Sequence, residues 1–474
     1  MEAGTKLGPH PMASGPSLLL VALAASVLVS SGFGRPSQDR PNIVLLFVDD
    51  AGYADFGFQG SADHATPHID SIATQGVRFT QAYVTASVCS PSRAGLLTGR
   101  YQQRFGHEYN LPGQDDPELP ASRRGLPLDE TTIADVMRSA GYATGIVGKW
   151  HLGRHPRFRP LRRGFDEFFG MVRGGSPYLA GTATGIFEGE EEVAADSIPY
   201  LTDAFGDRAV EFIEQHRDEP FFLFVSFNAP HTPMEPRAGD LERVRGSFET
   251  DERAANVAMT SALDDNVGKI LAALEKHGLG ANTLVVFTND NGGAMPYNGS
   301  LNAPLRGTKG TVLEGGNRVP MSIRWPVRWP AGTLYELPVS TLDFLPTFAA
   351  AGRADTAGLS LDGVDLLPFI DGDRPGHAHD ALYWKLNWGA AIRRSDWKLV
   401  RTPADEYWLF NLSPDPGERN DLSAELPDRV AALRAELEEW ESSLPPPIWT
   451  SAAMWREHSL LRYDQSVVDT YRRR

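Results

Sequence analysis

A single cysteine, Cys89, stands in a chain of 474 residues, so no disulfide can form within it and the core must stabilise the fold unaided. Cations are also in deficit: 45 Lys and Arg against 61 Asp and Glu leave a formal net charge of -16. That removes the basic field which would draw in a nucleic-acid backbone or an anionic membrane surface. Any anion handled here must meet a local cluster of cations. A long apolar run is missing too. The stretch Ser17 to Val29 falls short of the roughly 20 residues that a spanning helix needs. It follows Lys6 and precedes Ser30-Ser31-Gly32-Phe33-Gly34, the pattern of a secretory signal peptide. No cysteine follows the run to take a lipid anchor. The expectation is a signal peptide over 1–34 and a mature protein in the periplasm or outside the cell, without a stable membrane anchor.

What is present describes a globular protein. With 41% hydrophobic and 22% charged residues the chain can bury a large core. Its length exceeds the roughly 250–300 residues at which single cores split, so two domains are expected: a catalytic one over 35–375 and a smaller one over 376–474. From Pro41 onward, short apolar runs alternate with helical patterns. The clearest strands are Asn42 to Val48, Ala143 to Val147, Phe221 to Phe227 and Thr283 to Phe287, and helices are expected over Thr131 to Ala140 and Asn256 to Lys276. This predicts an α/β fold with a large, mainly parallel sheet sandwiched by helices. After the Pro/Gly/Asp-rich join Arg353 to Gly376, the pieces ALYWKL, GAAIRR, WKLV and YWLFN lie at hairpin spacing before an amphipathic stretch, Pro427 to Ser442. They predict a small antiparallel sheet with a helix.

Ligands of such sheets bind beyond the carboxyl ends of the strands. Asp49 and Asp50 end one strand, and Asp290 and Asn291 follow another. If these strands are neighbours, three carboxylates and an amide converge and need a hard cation such as Ca²⁺ or Mg²⁺. Either pair alone would more commonly cap a helix or turn. Cys89-Ser90-Pro91-Ser92-Arg93 reads as a helix start with Ser90 as cap and Pro91 first inside. That puts Cys89 where the helix dipole favours an anion, with Arg93 one turn on. A thiol there is expected to be a depressed-pKa thiolate.

The run Cys89 to Arg100 resembles the type I sulfatases, matching their signature C-x-P-x-R-x-x-L-x-T-G-R at every fixed position. Further motifs of that family follow in order between Pro41 and Pro320: Gly148-Lys149-Trp150-His151-Leu152-Gly153, Pro230-His231 and Gly307-Thr308-Lys309-Gly310. On an extended segment Lys149 and His151 would share one face and Trp150 the other. The resemblance implies an alkaline-phosphatase-like fold, oxidation of Cys89 to formylglycine (3-oxoalanine) by a maturation enzyme, and calcium, in preference to magnesium, on Asp49, Asp50, Asp290, Asn291 and residue 89. It also implies catalytic roles for Arg93, Lys149, His151, His231 and Lys309. The residue some members use after Gly164 to Gly170 falls among Arg173, Gly174, Gly175 and Ser176 without a secure match.

The expected activity is hydrolysis of sulfate monoesters. A sulfated sugar is favoured as substrate, because an exported enzyme meets such polymers and Arg104, His107, Glu108, Asn110, Asn387 and Trp388 could hold one. Small aryl sulfates are the close alternative. A phosphate or phosphonate monoester hydrolase using the same groups, or a non-catalytic binder of sulfated glycans, are the rivals of other classes.

Overall fold

Strand β1 (Asn42–Val48) alternates between two apolar layers, and that alternation sets the architecture. Ile43, Leu45 and Phe47 enter one buried cluster, while Val44, Leu46 and Val48 enter the other. A strand buried on both faces must lie inside a sheet covered twice. The computed structural model describes residues 40–112, 119–451 and 454–464, without the side chains of Met454 and Trp455. The expected signal segment over 1–34 lies outside them. The further strands of the large sheet are β2 (Val77–Tyr83), β3 (Ala143–Lys149), β4 (Glu167–Met171), β5 (Ile186–Glu188), β6 (Glu191–Glu192), β7 (Phe221–Ser226), β8 (Thr283–Asn289), β9 (Arg318–Arg324), β10 (Thr333–Tyr335) and β11 (Val339–Ser340). Their order is β10-β2-β9-β8-β1-β7-β3-β4-β5-β6, with β11 also beside β2. The middle, β8-β1-β7-β3-β4, is parallel. On either side β9 and β5 run antiparallel to their neighbours, so the sheet is mixed at its flanks.

Helices Cys89–Thr98, Ile133–Ser139 and Phe344–Gly352 cover one face, and Pro67–Thr74, Leu201–Gln215 and Asp251–Lys276 cover the other. Each fully buried large apolar side chain contributes about 1.5–3 kcal/mol relative to exposure, and β1 alone buries six such residues, Ile43 through Val48. The strands expected to end at Val147 and Phe287 run on to Lys149 and Asn289. Both therefore deliver polar residues directly at the sheet's carboxyl edge.

The second sheet is antiparallel, β12 (Ala381–Leu386), β13 (Gly389–Arg394), β14 (Trp397–Arg401) and β15 (Tyr407–Asn411) in sequence order. One face packs on helix Pro427–Ser442 through Ile392, Leu399, Leu433 and Leu437. The other packs Leu382, Trp384 and Val400 on Tyr83, Val88, Val312 and Leu313, residues flanking Cys89 and Lys309. A charged cluster crosses this contact. The fully buried Lys398 lies 2.9 Å from Glu314 and 3.0 Å from Glu418, and the Tyr83 hydroxyl donates to Glu314 at 2.7 Å. Removing one member of a buried ion cluster strands the rest without compensation. Lys398→Met should therefore cost about 3–5 kcal/mol in denaturant unfolding. A loss below about 1 kcal/mol, the range of exposed pairs, would show that Lys398 does not hold the two carboxylates.

Candidate active site

β1 and β8 pair in parallel with Val48 opposite Asn289, so Asp49-Asp50 and Asp290-Asn291 leave the sheet side by side. All four are buried. Asp50 turns off the strand with φ 66°, in the left-handed region that Asp adopts more readily than most residues. Its N–H donates to Asp290 Oδ1 at 3.3 Å, and its carbonyl accepts from Asn298 Nδ2 at 2.8 Å. The first turn of helix Cys89–Thr98 closes the group. One ligand atom from each of Asp49, Asp50, Cys89 and Asp290 lies within 4.8 Å of the others. Asn291 donates Nδ2–H to Asp50 Oδ1 at 2.7 Å, while its buried Oδ1 accepts no hydrogen bond. An orphaned amide oxygen amid three carboxylates is a donor set that fits a hard divalent cation.

Cations enclose the acids. Lys149 at the end of β3 pairs with Asp49. Arg93 donates to Asp290 Oδ2 from Nε at 3.2 Å and Nη2 at 2.9 Å, and to the Lys149 carbonyl and Ser226 Oγ from Nη1 at 3.0 and 2.6 Å. Lys309 Nζ lies 2.6 and 2.8 Å from the two Asp50 oxygens and 3.1 Å from Cys89 Sγ. His231 Nε2 stands 3.6 Å from Asp50 Oδ2, because Nδ1–H is donated to the Thr232 carbonyl at 2.6 Å. The simple strand alternation expected around Lys149 does not continue. β3 ends there and His151 has φ 58°. Trp150 still points away, donating Nε1–H to the Phe158 carbonyl at 2.9 Å.

Burial and charge set the protonation states. Burial tends to raise the Asp50 carboxyl, but Lys309, His231 and Lys149 outweigh it and hold Asp50 well below the carboxylate range. Asp290 moves oppositely, to about 6, through burial and the adjoining Asp49. Burial, with Lys149, Arg93 and Lys309, holds the His151 ring far below its usual value. Burial likewise lowers His231 to about 4. The expected thiolate at Cys89 is corrected. Burial, followed by the charge of Asp290, pushes the thiol up, outweighing Lys149 and Lys309, so an unmodified Cys89 is a protonated thiol.

The helix start is corrected as well. Val88 is the cap and Cys89 the first helical residue. Ser90 instead donates to the His151 carbonyl at 2.8 Å and meets His107 Nε2 at 2.7 Å. Of the residues considered for sugar binding, Arg104 is paired with Asp362 at 2.7 Å, Glu108 with Lys385 at 3.1 Å, and Asn110 accepts the Ser90 N–H at 3.0 Å. Asn387 accepts from Ser451 N–H at 3.3 Å. These contacts belong to the scaffold. Two features escaped sequence reasoning. Arg462 donates to the Lys309 carbonyl at 2.8 Å and Tyr463 accepts the Val312 N–H at 2.8 Å, which ties the Lys309 loop to a helix some 150 residues later in the chain. Gly174 and Gly175 lie against the catalytic pocket: a Cβ would stand 2.8 Å from the His151 ring at the first and 3.3 Å from the His231 ring at the second. The adjacent glycine pair was a signal for close approach.

The described similarities agree with this geometry. The sulfatase family model matches residues 41–353. The chain is 33% identical to N-acetylgalactosamine-6-sulfatase of Mus musculus, with 90% of each chain covered. It is 37% identical to arylsulfatase A of Homo sapiens, with 86% of each covered. The crystal structure of Ps i-CgsB superposes with a TM-score of 0.82 at 34% identity, covering 90% of this chain and 99% of that one. A second structure of it, in complex with k-i-k-neocarrahexaose, gives 0.81.

Asp290→Asn removes one anion from the cation cage and keeps its shape. Divalent-cation affinity measured by titration calorimetry should fall by at least the 10–100-fold typical of losing even a supporting group. Unchanged affinity would remove Asp290 from the ligand set.

Proposed function

This chain belongs to the sulfatase family and is a sulfuric ester hydrolase, and we propose that its substrate is a sulfated carbohydrate and its cation calcium. The family relies on a formylglycine and a divalent metal. The observation that carries the proposal is the convergence of Cys89, Lys309 and Asp50 within hydrogen-bond reach beside an orphaned Asn291 oxygen. All-oxygen donors with an amide suit calcium, which tolerates irregular, high coordination better than magnesium does. Carbohydrate is favoured by N-acetylgalactosamine-6-sulfatase among the relatives and by the neocarrahexaose complex of Ps i-CgsB. Arylsulfatase activity of broad specificity is the second possibility, favoured by the likeness to arylsulfatase A. The Lys6, apolar and small-residue pattern of 1–34 supports export to the periplasm or beyond, and Cys89 requires a maturation enzyme.

When bound, the cation held by Asp49, Asp50, Asp290 and Asn291 supplies charge stabilisation at sulfate oxygen, and formylglycine at position 89 supplies the attacking oxygen. The chain's own groups do the rest. Lys149 and Lys309 bring positive charge to the sulfonate oxygens in a site where low dielectric strengthens each contact. Arg93 fixes Asp290, which accepts the proton of the attacking hydroxyl. His231, with Nδ1–H anchored on Thr232, presents Nε2 to the pocket and hands a proton to the departing oxygen, an anionic ester raising its basicity. His151, neutral and with Nδ1 unpartnered, accepts a proton at position 89 to release sulfate.

Active protein should carry an aldehyde at position 89, detected by peptide mass and hydrazine capture, with activity proportional to its occupancy. Cys89→Ala should fold, bind calcium and be inactive. Full turnover by protein with an intact thiol would overturn the formylglycine assignment. His231→Ala should lower kcat/KM on sugar sulfates by about 10²–10⁴-fold and on 4-nitrophenyl sulfate far less, because a nitrophenolate leaves without a proton. Equal losses on both would reassign His231 to sulfate binding.

A further inference from the structure

His151 stands in the left-handed backbone region with φ 58°, a conformation that a residue with a Cβ keeps only where its surroundings impose it. Its flanks are pinned: Trp150 N–H donates to the Met171 carbonyl and Leu126 N–H to the Leu152 carbonyl, each at 2.9 Å. His151 itself makes one hydrogen bond among the described residues, accepting the Ser90 hydroxyl on its carbonyl at 2.8 Å. Ser90 follows Cys89 in the first turn of helix Cys89–Thr98, so this bond ties the histidine's backbone to the turn that carries residue 89. The hydroxyl is held from behind in turn. His107 Nε2 lies 2.7 Å from Ser90 Oγ, and both residues are fully buried.

A serine hydroxyl has one proton, and a carbonyl can only accept it. With that proton on the His151 carbonyl, the Ser90 oxygen accepts from His107, which fixes the imidazole as its Nε2–H tautomer. His107 Nδ1 is then a bare lone pair, and it is buried without a hydrogen-bond partner. A buried polar atom left in that state asks for a reason. The ring is also wedged in place. Trp449 packs against it with 4.6 Å between centroids and donates its own Nε1–H to the Tyr109 carbonyl at 2.9 Å. Ser90 N–H is fixed on Asn110 Oδ1 at 3.0 Å.

We propose that Ser90 and His107 are positioning residues for His151: the chain from His107 Nε2–H through Ser90 Oγ–H to the His151 carbonyl sets the backbone from which the catalytic ring reaches residue 89. The proposal rests on the reading of His151 as the group that accepts a proton at position 89 to release sulfate. A neutral imidazole suits the task, because its Nε2–H leaves the hydroxyl proton no partner except the carbonyl.

The test uses matured, calcium-loaded enzyme on 4-nitrophenyl sulfate, with rates expressed per aldehyde captured by hydrazine so that incomplete maturation does not enter. Ser90→Ala and His107→Met break the chain. Ser90→Thr keeps a hydroxyl and His107→Gln keeps an N–H at similar reach, while His151→Ala serves as reference. Sulfate release follows departure of the nitrophenolate, so slowing it lowers kcat and KM together, leaves kcat/KM unchanged and gives a burst of nitrophenol. Ser90→Ala, His107→Met and His151→Ala should all show that signature, with kcat down by roughly 10²-fold, the scale of misplacing a reacting group by about an ångström. The Thr and Gln changes should restore kcat. In a crystal structure of the Ser90→Ala protein the His151 carbonyl should turn and φ should leave the left-handed region. Wild-type kcat in Ser90→Ala, a loss of kcat/KM there, or an unmoved His151 carbonyl would overturn the positioning role alone. Ser90→Ala removes one oxygen and decides the matter if His107→Met does not fold. A His151→Ala protein that loses kcat/KM with KM unchanged would overturn the release role of His151, and the proposal with it.

Discussion

Crowding of negative charge at the edge of the sheet is the constraint that the rest of the structure answers. The parallel pairing of β1 with β8 leaves Asp49, Asp50 and Asp290 no way to avoid one another, in a volume that water does not reach. Three carboxylates in such a place are tolerable only with cations. Lys149, Arg93 and Lys309 provide them, each held at hydrogen-bond distance. The formal charges of these six groups cancel, so a divalent cation leaves the pocket positive. A positive pocket in an acidic protein is suited to an anionic ester. Burial in the same closed site, followed by the charge of Asp290, pushes the Cys89 thiol up and makes it a poor thiolate.

Precision in this centre comes from the second sheet together with Glu418 and helix Met454–Tyr463, which follow it in the chain. Lys309 sits on an irregular loop, and loops place side chains accurately only when a rigid body holds them. Here Arg462 holds the Lys309 carbonyl, Tyr463 the Val312 N–H, and Glu418 the Glu314 N–H at 2.7 Å. Arg306 returns the contact, donating to the carbonyls of Glu418 and Tyr463 at 3.1 Å each. Trp384 donates to the Val84 carbonyl at 2.7 Å, on the approach to Cys89. The small sheet, Glu418 and helix Met454–Tyr463 together form the platform on which the two catalytic loops rest. Its buried Lys398 cluster gives that platform a single register, since slipping it would strand three charges.

Glycine shapes the opposite wall. Gly148 approaches the Ser226 carbonyl so closely that a Cβ would lie 1.9 Å from its oxygen, and its φ of 113° suits no other residue. That contact lets β3 and β7 meet tightly just before Lys149. Gly174 and Gly175 do the same for the two histidines. Close backbone approach thus sets where Lys149, His151 and His231 point.

Much of the site was legible in the chain itself. Strong alternation or continuous apolarity marks β1, β7 and β8, and residues that follow a buried strand must emerge at its end, so Asp49, Asp50, Asp290 and Asn291 could be read locally. The Cys89 signature and the Lys149, His151, His231 and Lys309 motifs are likewise short and contiguous. The hairpins of the small sheet were readable from turn spacing. Strands β2 and β9 were not: the burial of β2 has no clean period, and β9 is fully buried although Arg318, Ser322 and Arg324 interrupt its apolar run. What sequence alone determined is the inventory: which groups carry charge, oxygen or sulfur, and which local element presents each. Tertiary structure alone decided that β1 and β8 are neighbours, that burial pushes the Cys89 thiol up, and that Arg462 from late in the chain reaches the Lys309 carbonyl. These depend on long-range register and on the low dielectric of a closed interior, and neither is encoded at any one position.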